Sequence, residues 1–295
     1  MIEFIESIAE ENHPPYTEVK EIHKKIHVET SERIEEEILA SYTVERYKHH
    51  GTSKETLSMV CGSYLTSALI NLNLDALDNP KKDEKLHEDV ARVENIIRGI
   101  HSHSGYPWEE IRNGFFAEAA VAVALKIRGF EIYMPDFTDD TKGKIDLIVY
   151  DPGEKIIIPI QVKSSTYLKG VVLDEIREDN KKTILHHVSD NWDHKTQSLD
   201  SQKISYAQQK LESLNDSLVL CFDKMIEYLE PAMKYEDYRF HPILIAIPGG
   251  DNCEESMFNT RTGAPVGVSN PFDKDSLSDI IYEKLEKIIY PEGDE

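Results

Sequence analysis

The chain has 295 residues, and its 55 acidic against 33 basic side chains give a formal charge of −22 and a pI near 4.9. At 40 % hydrophobic and 30 % charged it carries enough apolar material for one large or two smaller domains, which excludes wholesale disorder. No apolar run approaches the roughly 18 residues of a membrane span. The longest, Ala117 to Leu125, is interrupted by Glu118.

The opening MIEFIESIAEEN has glutamates where a secretory signal is positive, so the reading is an intracellular, cytoplasmic protein with no membrane partner. The first hundred residues read as three or four packed helices, with helical spacing in Ser31 to Leu39, Thr52 to Leu77 and Lys85 to Ile100. The Asn79-Pro80 pair separates the second from the third. Ser102 to Pro107 is a connector, which divides the chain into a helical region 1–104 and a second domain 105–295.

Beyond the connector the pattern is helix, strand, strand, strand. Glu109 to Arg128 is an alanine- and valine-rich helix closed by Gly129, a residue suited to a left-handed cap. Three β-branched runs follow, Phe130 to Met134, Lys144 to Tyr150 and Ile156 to Lys163. The last two are joined by Asp151-Pro152-Gly153-Glu154, a hairpin turn in which Gly153 is expected to accept positive φ. Residues 164–197 are polar and read as an insertion. A second helix, Ser198 to Leu214, a strand, His241 to Ile247, and an amphipathic helix, Leu277 to Ile289, complete the chain. The fold class is therefore α/β, with a helical N-terminal region.

The middle segment carries the chemistry. Glu118 has Val121, Ala122 and Leu125 as helical neighbours, so it lies on a stripe expected to face the sheet, where a carboxylate needs a cation or several donors. Asp146 lies in the apolar strand KIDLIVY. Strand alternation puts Gln161 and Lys163 of IIIPIQVKSS on one face and Val162 on the other. Each residue alone is ordinary, and their order is what carries the signal.

Over residues 109–165 this order resembles the PD-(D/E)XK superfamily, the restriction-endonuclease-like and Holliday-resolvase-like nucleases, with QVKSS similar to the glutamine variant of Mrr-type members. The later helix and strand match the rest of that core, although Ile145 stands where the family signature has proline. The resemblance implies a restriction-endonuclease-like core, a mixed central sheet flanked by helices, and a Mg²⁺- or Mn²⁺-dependent endonuclease acting on nucleic acid, DNA before RNA. It also implies that Glu118, Asp146, Gln161 and the Val162 carbonyl hold the metal, while Lys163 orients or deprotonates the attacking water and steadies the developing charge. Gln161 brings an amide oxygen but no charge, so Mg²⁺ is expected to bind less tightly than at a third carboxylate.

Lys142, Lys144, Lys155, Lys163 and Lys169 flank the hairpin and are candidate phosphate contacts. Bulk charge argues against nucleic acid, yet residues 1–104, 105–170 and 171–295 carry net −8, −2 and −12, so the acidity lies in the flanks. Those flanks suit a protein partner or a homodimer. Rival readings are a weakened binding module of the same fold and an acidic interaction protein. HHVSDNWDH, with His186, His187, Asp190, Asp193 and His194, reads as a polar segment before a metal site, as do His49, His50, His101 and His103. Tyr206 and Gln209 read as helix surface, and the scattered Cys61, Cys221 and Cys253 as neither disulfides nor a zinc site.

Overall fold

The computed structural model describes residues 54–102, 106–135, 142–192, 201–235, 237–250, 253 and 255–290. The expected helix Ser31 to Leu39, and with it His49, His50, His103, Asp193 and His194, lies outside them.

Helices α1 (Lys54–Asp78), α2 (Pro80–Asp83) and α3 (Leu86–His101) precede α4 (Trp108–Ile127). Asn79 and Pro80 act together: Asn79 Oδ1 accepts from the Lys81 N–H at 3.1 Å, and Pro80 opens α2, where a missing N–H costs nothing. Gly129 ends α4 with φ +90, while Phe130 N–H reaches the Leu125 carbonyl and Gly129 N–H the Lys126 carbonyl, the two bonds of a Schellman stop.

Strands β1 (Glu131–Tyr133), β2 (Leu147–Asp151) and β3 (Ile156–Ser165) follow as an antiparallel meander. At the β2–β3 turn the residue with positive φ is Lys155, at +52, rather than Gly153. Asp151 drives the turn instead, its Oδ1 accepting from Gly153 N–H at 2.9 Å and Glu154 N–H at 3.2 Å, and the left-handed residue closes a four-residue loop.

The polar stretch after β3 contains β4 (Val172–Glu175) and α5 (Lys181–Asp190). Helix α6 (Ser201–Leu229) runs 15 residues beyond the expected Leu214, and β5 (Arg239–Phe240), β6 (Ile243–Pro248) and α7 (Leu277–Ile289) complete the order. The sheet is mixed and open, β1-β2-β3-β6-β4, with β6 parallel to β3, β4 antiparallel to β6, and β5 beside the start of β3. Parallel neighbours need a long crossover, which the β4–α5–α6–β5 segment supplies.

Helices cover both faces. Leu147, Val149, Ile158, Ile160 and Val162 meet α1, α3, α4 and α7 on one, so the described N-terminal helices share a core with the sheet. Ile145, Ile148, Ile157 and Leu244 meet α5 and α6 on the other. Burial on both faces explains why β3 and β6 read as continuous apolar runs. Pro159 is tolerated at the centre because of the strand's polarity. His241 N–H bonds to the Ile157 carbonyl, so odd residues of β3 turn their backbone groups toward β5 and β6. Pro159, whose N–H is missing, falls at the break between those two short strands.

One ion pair ties three parts of the first core. The Arg112 guanidinium forks onto Glu94, with Nε donating to Oε1 and Nη2 to Oε2 at 2.9 Å, and Nη2 also donates to the Thr260 carbonyl at 2.8 Å. Trp108 Nε1 adds a bond to Glu94 at 3.1 Å, and Arg112 lies 4.0 Å over the Phe116 ring. Burial raises the Glu94 carboxyl, but bonds from Arg112 and Trp108 and the nearby arginine charges outweigh it and hold it below its usual range. A carboxyl with a lowered folded pKa contributes stability that is present above its unfolded pKa and is lost as pH falls through the folded value. Acid titration of unfolding free energy is therefore expected to show a slope below about pH 4.3 that Glu94→Gln flattens.

Ser276 caps α7: its Oγ accepts from the Asp279 N–H at 3.1 Å and donates to the Pro271 carbonyl at 2.9 Å. Ser276→Ala is expected to cost about 1–2 kcal/mol, seen as a lower urea midpoint with an unchanged slope.

Candidate functional site

The site forms where β2 leaves β3. The ladder ends at Leu147 opposite Ile160, with a final bond from the Asp146 N–H to the Ile160 carbonyl at 2.8 Å. Lys144, at φ +54, then turns the preceding chain away, and Gly143 lies where a Cβ would stand 2.6 Å from the Tyr228 ring of α6. Even residues of β3 turn their backbone groups toward β2, so the Val162 N–H faces the gap. Asp146 fills it, with Oδ2 accepting from the Val162 N–H at 2.7 Å. The carboxylate thus takes the place of the missing strand.

Gln161 is the second member. It is 2 % exposed on the α5–α6 face, and its Nε2 donates to Asp146 Oδ2 and to the Val162 carbonyl, the latter at 3.2 Å. Its Oε1 is buried with no hydrogen-bond partner, an uncompensated acceptor beside a carboxylate. Lys163, two residues on and facing the same way, and Lys144 both act on Asp146 by charge. Burial nevertheless pushes the Asp146 carboxyl above its usual range, against the pull of Lys163, the Val162 N–H, Lys144 and the Gln161 amide. The arrangement is a desolvated carboxylate with two cations and an orphaned amide oxygen at the open end of a hairpin.

Asp146, Gln161, the Val162 peptide and Lys163 therefore come together. Glu118 approaches from the other face. Ser164 Oγ bonds to the Asn113 carbonyl at 3.4 Å, and α4 ends beside β1, so α4 runs antiparallel to β3. Five residues past Asn113, about 7.5 Å of helix rise, Glu118 stands near the level of Val162 on the far side. Its Oε2 accepts from Thr66 Oγ1 of α1 at 3.0 Å. Thr66 has no signal in the sequence, because only the packing of α1 on α4 makes it a partner.

The lysines divide. Lys142 is exposed, Lys144 lies in the turn before Asp146, and Lys169 is exposed beyond the end of β3 with its N–H on the Asn191 carbonyl at 2.9 Å. Lys155 sits at the opposite end of β3 from Lys163, about 25 Å away along the strand. Lys144 acts on Asp146 by charge, a closer place than a phosphate-contact group suggested, and Asp146, two positions on, is the sequence clue.

The remaining polar candidates have structural settings. His187 Nδ1 lies 3.0 Å from Asp174 and His186 Nε2 3.4 Å from Asp190, both on α5. His101 is buried against Trp108, ring centroids 5.3 Å apart, and burial lowers its pKa. Tyr206 is half exposed with Lys210 Nζ 5.4 Å from its ring, and Gln209 is exposed. Cys61, Cys221 and Cys253 form no disulfide, and burial raises the Cys61 thiol to about 12. Among the described residues no three His, Cys, Asp or Glu side chains converge on a metal position, and no helix is long and apolar enough to cross a membrane.

Compared with known proteins, the chain matches no family model, no curated protein and no solved structure.

Proposed function

We propose that the protein is a divalent-metal-dependent nuclease of the PD-(D/E)XK type, hydrolysing phosphodiester bonds in nucleic acid, DNA before RNA. The observation that carries this reading is the convergence of Asp146, Gln161 and Lys163 at the open end of the β2–β3 hairpin. The order of elements, α4, three strands, α6 and β6, supports it.

The donor set suits a hard cation. Asp146 offers a carboxylate, Gln161 an amide oxygen that has no other partner, and the Val162 carbonyl a third oxygen. Mg²⁺ or Mn²⁺ bound there supplies a Lewis acid and a more acidic water. Lys163 steadies negative charge on the phosphate as it develops and holds the water in line. Lys142, Lys144 and Lys169 bring positive charge to the same end of the hairpin, while the acidic flanks limit nonspecific contact with phosphate backbones or receive a protein partner.

The test is a cleavage screen over supercoiled plasmid, linear, branched and single-stranded DNA, and RNA, with Mg²⁺, Mn²⁺ or chelator. Cleavage of at least one substrate that chelation stops supports the reading, and cleavage unaffected by chelation contradicts it.

A second reading, a binding module on the same fold, is favoured by the lack of a third acidic ligand among the described residues. It predicts metal-independent binding of nucleic acid with no cleavage in that screen.

A further inference from the structure

Resting on the nuclease reading, we propose that Tyr167 is a platform on which a base close to the scissile phosphate stacks, so that the substrate is single-stranded or locally unpaired nucleic acid rather than continuous duplex. The segment Lys163 to Gly170, KSSTYLKG, carries two lysines, three hydroxyl side chains, one tyrosine and no acid, in a chain of net charge −22. Tyr167 lies within about 13 Å of Lys163, the reach of four extended residues. It packs against the α5–α6 core, which places it on the face of the sheet that Gln161 and Lys163 share, and it is part-exposed.

The ring is held before any ligand arrives. Its partner is Trp192, with ring centroids 5.2 Å apart and planes 20° apart, and Trp192 is 3 % exposed, so it backs Tyr167 from within the core. A buried tryptophan usually pairs its N–H. Trp192 Nε1 has no hydrogen-bond partner among the described residues, so the position uses the flat face of the ring rather than its polar edge. The backbone is docked as well. Leu168 N–H bonds to the Ser165 carbonyl at 3.3 Å and Tyr167 N–H to Ser165 Oγ at 3.2 Å, while Leu168 bridges Trp192 and Lys169 N–H bonds to the Asn191 carbonyl at 2.9 Å. An aromatic side chain fixed in advance loses little entropy when a base covers it. Part-exposed Lys163 before it and exposed Lys169 after it put a cation on either side of the ring along the chain. Aromatic faces for bases beside cations for phosphates are what single-strand binding uses. In continuous duplex both faces of a base are already stacked, so a base reaches Tyr167 only by leaving the stack.

The test is binding to the full chain, with Mg²⁺ and read by fluorescence anisotropy, of a labelled DNA single strand made non-cleavable by bridging methylene phosphonates, and of the corresponding duplex. Abasic sites replace the bases of the single strand one position at a time. For the wild type, one position is expected to weaken binding about five- to a hundredfold, the range for loss of one stacked base, with little effect elsewhere. Tyr167→Phe should keep that profile. Tyr167→Leu fills the place on Trp192 without a π face, and is expected to lose the same factor on the intact strand, to show a flat abasic scan and to leave duplex binding unchanged. The wild-type scan decides the matter even where a variant folds poorly. A flat wild-type scan overturns the platform, as does a Tyr167→Leu protein that keeps the wild-type profile, and metal-dependent cleavage in either case leaves the nuclease reading standing. A wild-type chain that neither binds nor cuts nucleic acid in any form overturns both.

Discussion

Lys163→Ala is expected to slow metal-dependent cleavage by about 10²–10⁴-fold, the range for loss of a positioned proton-transfer or charge-stabilising group. The fold should survive, because Lys163 is part-exposed at the end of β3 and its strand is held on the β6 side by the Lys163–Ala246 register. Circular dichroism and the urea midpoint check that point. Asp146 is less separable. On the proposed reading its carboxylate serves the site, and it also satisfies the Val162 N–H, so Asp146→Ala leaves a buried donor unpaired at a cost of about 1–3 kcal/mol. Asp146→Asn keeps an acceptor for Val162 while removing the charge, and is expected to lose cleavage to a similar degree with a smaller effect on stability. A Lys163→Ala protein that cuts at the wild-type rate would remove the lysine from the chemistry.

Arg112→Ala is expected to have the largest effect on stability, about 3 kcal/mol. The substitution removes the fork on Glu94, the bond to the Thr260 carbonyl and the contact with Phe116. It leaves a part-buried carboxylate with Trp108 Nε1 as its remaining partner in that network, and the carboxyl accordingly loses its reason to titrate low. Glu94 keeps some solvent contact, which places the cost at the lower end of the range for breaking a buried pair. Arg112→Lys should fall between, since a lysine keeps the charge but cannot fork. A urea midpoint for Arg112→Ala within error of wild type would show that packing around Phe116 alone holds α3, α4 and the segment bearing Thr260 together.

Much of the fold was legible because local chemistry and global packing agree. Gly129 stops α4 as its position suggests, and α7 spans Leu277–Ile289 as its apolar stripe predicts. The departures have physical causes. Strand β4 has four residues and two charged side chains, and becomes a strand only because β6 offers an edge. The second half of α6 is masked by Asn215-Asp216-Ser217, yet Leu218, Phe222, Met225 and Leu229 continue its buried stripe. At the hairpin, Asp151 makes the turn that the Pro-Gly pair seemed to own.

For the candidate site, strand alternation put Gln161 and Lys163 on one face, and the order of elements with the resemblance it carries joined Asp146 to them. It could not distinguish the two faces of the sheet for Glu118, because a helix stripe says that a residue is covered but not by what. Nor could it show that Asp146 replaces a departed strand or that Gln161 turns its amide hydrogens to Asp146. Those follow from where β2 ends, which Lys144 and the packing of Gly143 on Tyr228 determine.

The most direct test of the central claim is single-turnover cleavage of end-labelled DNA by wild-type and Asp146→Asn protein across a Mn²⁺ titration. The account predicts that wild-type cleavage rises with Mn²⁺ and that Asp146→Asn stays at the chelator baseline throughout. Superimposable titrations for the two proteins, or no Mn²⁺-dependent cleavage by the wild type, would contradict it.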